Sequence, residues 1–297
     1  MNIIIKSIMH GCFLAFSVTG LVVQASIYAV DDKGTEFEFD QPVKRIISLA
    51  PHATELLFAA GATDQIVGTV SYSDYPQAAK KIPLIGGYNK IDIELIMSKK
   101  PELIVVWPGG NSTDQIEKLR RLGFRVFVSE PEKFTDVARN IRNMGRFLGT
   151  EKTAQAVSSR FLSELKALRH EYPPREKVRV FYQVWNDPLM TLSDKHLVGR
   201  VIKFCSGENI FGDLDVISPR VSIEAVIEKN PDVIIAGMTK DRREWLKEWE
   251  KWRVLKAVKN KHVYPIDAEL VVRQTPRILQ GTRKMCEYLN TVREVHR

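Results

Sequence analysis

No GxGxxG fingerprint and no GxxxxGKS/T loop occurs in the 297 residues. The glycine-rich turns that bring backbone amides onto a phosphate are therefore missing, and with them the common nucleotide sites. No GxSxG marks a serine nucleophile. The six histidines, His10, His52, His170, His196, His262 and His296, are scattered without ligand spacing. A zinc or manganese site needs three or four converging His or carboxylate ligands, and none can be assembled, so no metal ligand is assigned. An enzyme needs a positioned acid or base; no such group is evident, so no catalytic residue is assigned and the chain reads as non-enzymatic. The formal charge is +8, from 44 Lys and Arg against 36 Asp and Glu. That excess is spread along the chain without a basic-aromatic cluster, so no nucleic-acid partner is expected. Past the first 25 residues there is no candidate membrane span.

What is present is organised around Asp92 to Trp107, DIELIMSKKPELIVVW. Asp92 can cap a short helix by accepting the free amides of its first turn. Ile93, Ile96 and Met97 are spaced for one face, Pro101 ends the helix, and ELIVVW is a continuous apolar run, the pattern of a strand covered on both sides. The pattern returns from Ser222 to Gly237 as SIEAVIEKNPDVIIAG, with five of sixteen positions identical. Two copies so far apart suggest two similar lobes. Glu94 matches Glu224, each at the second position of its helix. Either is a good first-turn residue in the helix dipole; the matched pair also suggests a symmetric docking surface.

Met1 to Ala25 reads as an export signal, with Lys6, an apolar stretch and a small-residue site at Val23-Gln24-Ala25. Its removal leaves Cys205 and Cys286. In an oxidising compartment an even pair suggests one disulfide within the second half, with two buried free thiols as the alternative.

Ile27 to Phe39 reads as a hairpin. RIISLA, Ile66 to Val70, ELIVVW and FRVFVS alternate with helices opening at Pro51, Asp92 and Asp114, which argues for a parallel sheet. From Thr150, TEKTAQAVSSRFLSELKALRHEY carries an apolar stripe at Val157, Phe161, Leu165 and Leu168 and stops at Pro173-Pro174. At ~1.5 Å per residue it is about 30 Å long, enough to join two lobes. VRVFYQVW then opens a second α/β unit ending in HVYPID, Glu269, Arg273 and a final helix. Trp245, Trp249 and Trp252 fall at helical spacing and read as packing residues. The organisation expected is a signal (1–25), a first lobe (26–149), a linking helix (150–174) and a second lobe (175–297).

Tyr72, Trp107, Trp185, and Glu269 with Arg273 gather at the carboxyl ends of strands, with Tyr88 close by. Open α/β sheets bind ligands there, and aromatic walls with few polar anchors suit a large, flat, partly polar ligand. His52 follows the first strand at the same edge. It reads either as an axial ligand to a bound metal centre or as a solvated or capping histidine.

These stretches, APHATELLFAAGA, SYSDYP, DIELI…KPELIVVWPGGN, CSGENIF, VSIEAVI and RQTPRIL, resemble the helical-backbone class of periplasmic binding proteins of ABC importers. The likeness runs from about Arg45 to the end. The resemblance implies two Rossmann-like α/β lobes with parallel central sheets, joined by one long helix, with the ligand in the cleft. SYSDYP with W-x-GGN resembles the cobalamin-binding branch, which implies cobalamin as a transported ligand and no resident cofactor. It also implies a periplasmic monomer that docks on the permease dimer of an importer with ATPase subunits. By the same resemblance Tyr72 and Trp107 are ligand contacts, Tyr88 stands for a Trp, Trp185 neighbours an aromatic contact, Glu269 replaces an Asp, and Ser218 stands for a Trp. Glu94 and Glu224 match the docking acids, and Cys205 and Cys286 the disulfide. Haem or a ferric siderophore remain alternative ligands, and a chelatase-like tetrapyrrole enzyme is the alternative class.

Overall fold

The computed structural model describes residues 26–87, 90–238 and 244–295. The expected export signal and Tyr88 lie outside them. The first lobe starts with an antiparallel ribbon, β1 (Ile27–Val30) and β2 (Glu36–Phe39), whose alternation buries Phe37 and Phe39. There follow β3 (Ile46–Ser48), α1 (Pro51–Ala59), β4 (Ile66–Gly68), α2 (Ile93–Ser98), β5 (Leu103–Val106), α3 (Thr113–Arg121), β6 (Val126–Val128) and α4 (Phe134–Leu148). The sheet is parallel in the order β4-β3-β5-β6. Every residue of β5 is buried. Leu103 and Val105 join the core that includes α1 and α4, whereas Ile104 and Val106 join the core on the opposite face. A strand alternates its side chains, so an unbroken apolar run serves two cores at once.

Helix α5 (Glu151–Glu171) links the lobes. At its start Thr150 Oγ1 donates to Ala60 O at 2.6 Å in the first lobe. Near its end Arg169 Nη1 donates to Phe204 O at 2.7 Å in the second, with the guanidinium 3.6 Å over the Phe204 ring. The expected stripe holds, with Phe161 and Leu168 buried and Val157 and Leu165 packed against the core.

The second lobe is β7 (Val178–Gln183), α6 (Leu197–Phe204), β8 (Gly207–Asn209), α7 (Ile223–Lys229), β9 (Val233–Met238), α8 (Glu244–Trp249), α9 (Lys256–Lys259), β10 (Val263–Asp267), α10 (Glu269–Val272) and α11 (Ile278–Val295). Its parallel sheet runs β10-β9-β7-β8. The internal repeat falls on equivalent elements: β5 and β9 are interior strands, and Asp92 and Ser222 cap α2 and α7 by accepting from Leu95 N and Ala225 N. One detail differs from expectation. Met97 is half exposed, because α2 has only six residues and turns Ile96 alone fully inward. A Cys205–Cys286 disulfide ties the end of α6 to α11, which removes the free-thiol alternative.

Candidate ligand-binding cleft

Segments that follow the carboxyl ends of strands in the two sheets meet, the loop after β4 being bonded by Arg273, which follows β10 and α10. In the first lobe β5 runs out into Trp107. Asn111 fixes that exit, accepting from Trp107 N at 2.7 Å and donating to Leu49 O at 2.8 Å. The indole lies flat over Gly109 and Gly110: a Cβ on Gly110 would sit 2.3 Å from Trp107 Cζ3, and one on Gly109 2.6 Å from Nε1. Gly109 and Gly110 have no room for a side chain because the Trp107 ring occupies the space.

The loop after β4 carries Tyr72 and Tyr75, 69% and 44% exposed. Tyr72 has φ 67°, the left-handed region, which an aromatic residue occupies only when its surroundings hold it there.

In the second lobe Trp185, 40% exposed, follows β7 and donates from Nε1 to Asp187 O at 2.9 Å. Trp245 meets it edge-on, ring centroids 5.6 Å apart at 72°. The three tryptophans at helical spacing thus divide. Trp249 packs in the core and donates to Gln183 Oε1 at 2.8 Å, Trp252 lies against the same cluster, and Trp245 belongs to the aromatic surface around Trp185. Helical periodicity could not make that distinction, since α8 is too short to show one face consistently buried.

Polar groups lie between the walls. Arg273 Nη1 donates to Asp74 Oδ1 at 2.8 Å, and its Nη2 to Tyr72 O at 3.0 Å and Glu269 Oε1 at 2.9 Å. The Glu269 carboxyl is pushed up from its usual pKa, because burial and neighbouring Asp74 outweigh the pull of Arg273 and Arg277. Arg277 grips Glu55 with two bonds, at 2.8 and 2.7 Å.

His52 is neither solvated nor a cap. It is buried, donates from Nε2 to Ser129 O at 3.1 Å, and meets Trp107 edge-on. Burial lowers its pKa to about 4. The capping histidine is His196, whose Nδ1 accepts from Val198 N at the start of α6. It too is buried and lowered to about 4. Both rings are neutral near pH 7, and the positive charge of Arg273 further opposes charging His52. Among the described residues no group of three or more His, Cys, Asp or Glu side chains is arranged to hold a metal ion.

Tyr72, Trp107, Trp185, Glu269 and Arg273 each lie beyond the carboxyl end of a strand, and hydrogen bonds bring Tyr72, Glu269 and Arg273 together. Sequence reasoning missed Glu55, Asp74, Trp245 and Arg277. Three of these lay inside stretches already singled out, HATELL, SYSDYP and RQTPRIL, but nothing in a charged residue's spacing says which opposite charge it will meet.

The profile of the periplasmic binding protein family matches residues 46–270. The chain belongs to that family. This binding protein is 37% identical over 249 residues to a vitamin B12-binding protein of Vibrio cholerae, covering 84% of this chain and 90% of the relative. The crystal structure of the periplasmic vitamin B12 binding protein BtuF of Vibrio cholerae aligns with a TM-score of 0.80 at 36% identity, covering 85% and 98% of the two chains. The periplasmic heme-binding protein RhuT from Roseiflexus sp. RS-1, at a TM-score of 0.73 and 21% identity over 84% and 99% of the chains, shares the fold alone. Proteins of this family bind solutes for ABC transport and are not enzymes, and this binding protein is one of them.

Proposed function

We propose that this protein binds cobalamin in the periplasm and delivers it to an ABC importer in the inner membrane. The observation that carries the reading is a set of aromatic side chains beyond the carboxyl ends of strands in both lobes: Tyr72, 69% exposed, and half-buried Trp107 after β4 and β5, and Trp185, 40% exposed, with half-buried Trp245 against it after β7. A corrin ring is broad and apolar on its faces with amide groups at its rim. Aromatic walls with a polar anchor such as Glu269 complement that chemistry. The identity to vitamin B12-binding proteins extends over both lobes and supports the same ligand. Tyr88 belongs to this reading as a further aromatic contact.

In this reading residues 1–25 direct export and are removed, and the mature chain acts as a monomer. Glu94 and Glu224 are exposed at matched helix starts, α2 and α7, one per lobe. One carboxylate from each lobe suits a permease dimer presenting paired arginines, with the ATPase subunits beneath it. Titrating the purified mature protein with cyanocobalamin, haemin and ferric siderophores side by side tests the ligand. Saturable one-to-one binding of cyanocobalamin, tighter than the other two, is expected. Preference for haemin or a siderophore would replace the cobalamin reading.

A further inference from the structure

Two arginines of the second lobe hold a single loop of the first. Arg273 follows α10, and Arg277 lies four residues on, just ahead of α11. Both side chains are largely buried, at 10% and 15% exposure. Arg273 bonds the Asp74 carboxylate and the Tyr72 carbonyl. Arg277 stacks 3.9 Å over the Tyr75 ring while its Nε and Nη2 engage Glu55, which is 3% exposed in α1. Glu269 completes the set, 2.9 Å from Arg273 and 4.0 Å from Arg277. Three of the four residues from Tyr72 to Tyr75 are thus touched from the opposite lobe.

The loop's own lobe holds Ser71 and Ser73: Ser71 N donates to Gly86 O, Ser73 N closes a turn on Val70 O at 3.2 Å, and Thr54 Oγ1 donates to the buried Ser73 hydroxyl at 3.3 Å. Between them Tyr72 sits at φ 67° with its ring in the open. A tyrosine leaves that conformation readily unless something outside the turn fixes it. The group fixed from outside is its carbonyl, and the fixing donor is Arg273.

We infer that Arg273 and Arg277 form an interlobe clasp that positions the Tyr72–Tyr75 loop as a ligand wall and fixes the angle between the lobes. Helix α5 joins the lobes, and Phe134 of α4 packs against Phe204 of α6 with ring centroids 5.6 Å apart. The clasp adds a polar attachment made by other residues, which further restricts rotation of one lobe against the other. Arg273 and Asp74 are accordingly positioning residues. Their effect on binding passes through the tyrosines. The ligand part of this inference rests on the cobalamin reading; the lobe-angle part does not.

The test uses the full mature protein with one spin label on each lobe, at Arg121→Cys in α3 and Arg200→Cys in α6, both exposed helical positions. Pulsed electron resonance on ligand-free protein reads the distance between them. In the parent the distribution should be narrow; in Asp74→Asn and in Arg273→Gln it should broaden or gain a second population. Arg277→Lys, which keeps the charge beside buried Glu55 but cannot bind it with a planar fork, should do the same and guards against a variant that simply fails to fold. Cobalamin affinity should fall about tenfold in Arg273→Gln, and no further when Tyr72→Ala is added, because effects acting through one residue do not add. An unchanged distribution in all three variants would overturn the clasp. Fully additive losses would show Arg273 acting on the ligand itself and overturn the positioning role. Absence of cobalamin binding in the parent would count against the ligand reading alone, since the distance arm needs no ligand.

Discussion

The rings of His52 and Trp107 meet at 87° with centroids 5.3 Å apart, the His52 ring buried and Trp107 partly open. His52 is therefore neutral, its pKa lowered by burial to about 4, and His196 in the opposite lobe is lowered to about 4 by burial as well. Between pH 6.5 and 4 the unfolded chain binds these two protons and the folded protein does not. Stability is therefore complete above about pH 6.5 and falls as the pH drops toward 4, by roughly 3 kcal/mol for each histidine. Urea unfolding at pH 7.5, 5.5 and 4.5 should show the midpoint falling. His52→Gln should flatten the slope, and an equal slope in that variant would remove His52 as its source.

Gly110 has no room for a methyl group, because Trp107 lies where its Cβ would be. Gly110→Ala should push the indole out of its seat and weaken cobalamin binding about tenfold, or ~1.4 kcal/mol, while leaving most of the core untouched. Calorimetry paired with thermal unfolding checks this. Full affinity would mean that the position of Trp107 does not matter to the ligand.

Trp245 and Trp249 lie on the same short helix and should behave oppositely. Trp245→Ala should cost about 1–3 kcal/mol of cobalamin affinity, as loss of an aromatic surface does, with little loss of stability. Trp249→Ala should destabilise the fold by about 3–5 kcal/mol, since it empties part of a core. A Trp245→Ala protein that binds normally but unfolds early would return Trp245 to a packing role.

The Cys205–Cys286 bridge closes a span of 81 positions. Replacing both cysteines by serine should lower stability by a few kcal/mol, on the order of 4 in the chain-entropy description. Chemical unfolding measures it. Protein taken from the periplasm should also show no free thiol by intact mass.

Glu94 and Glu224 should matter to delivery and not to ligand. Double replacement by alanine should leave cobalamin affinity near that of the parent and reduce uptake through a reconstituted importer, with slower, less salt-sensitive association. Normal uptake at limiting binding protein would leave both as first-turn residues, worth ~0.3–1 kcal/mol of helix stability each.

Much of this molecule is written locally in its chain. Asp92 and Ser222 cap because a short side-chain oxygen reaches the amides of its own first turn. LIVV and VIIAGM are interior strands because an unbroken apolar run is stable only with cores on both faces. The stripe Val157, Phe161, Leu165, Leu168 needed only the helical period. Those features fixed the two lobes and the joining helix before any contact was known, and the strand ends located the cleft. What depended on distant residues stayed out of reach. Glu55 and Arg277 are 222 positions apart, and Tyr72 and Arg273 201, so no local spacing relates them. The burial of His52 depends on Trp107 and Ser129 arriving from two other strands. Trp245 and Trp249 share a helix, and only the packing of that helix decided which one meets Trp185. Local propensity acts over a few bonds, whereas pairing of charges and exclusion of water are decided by what the completed fold brings alongside.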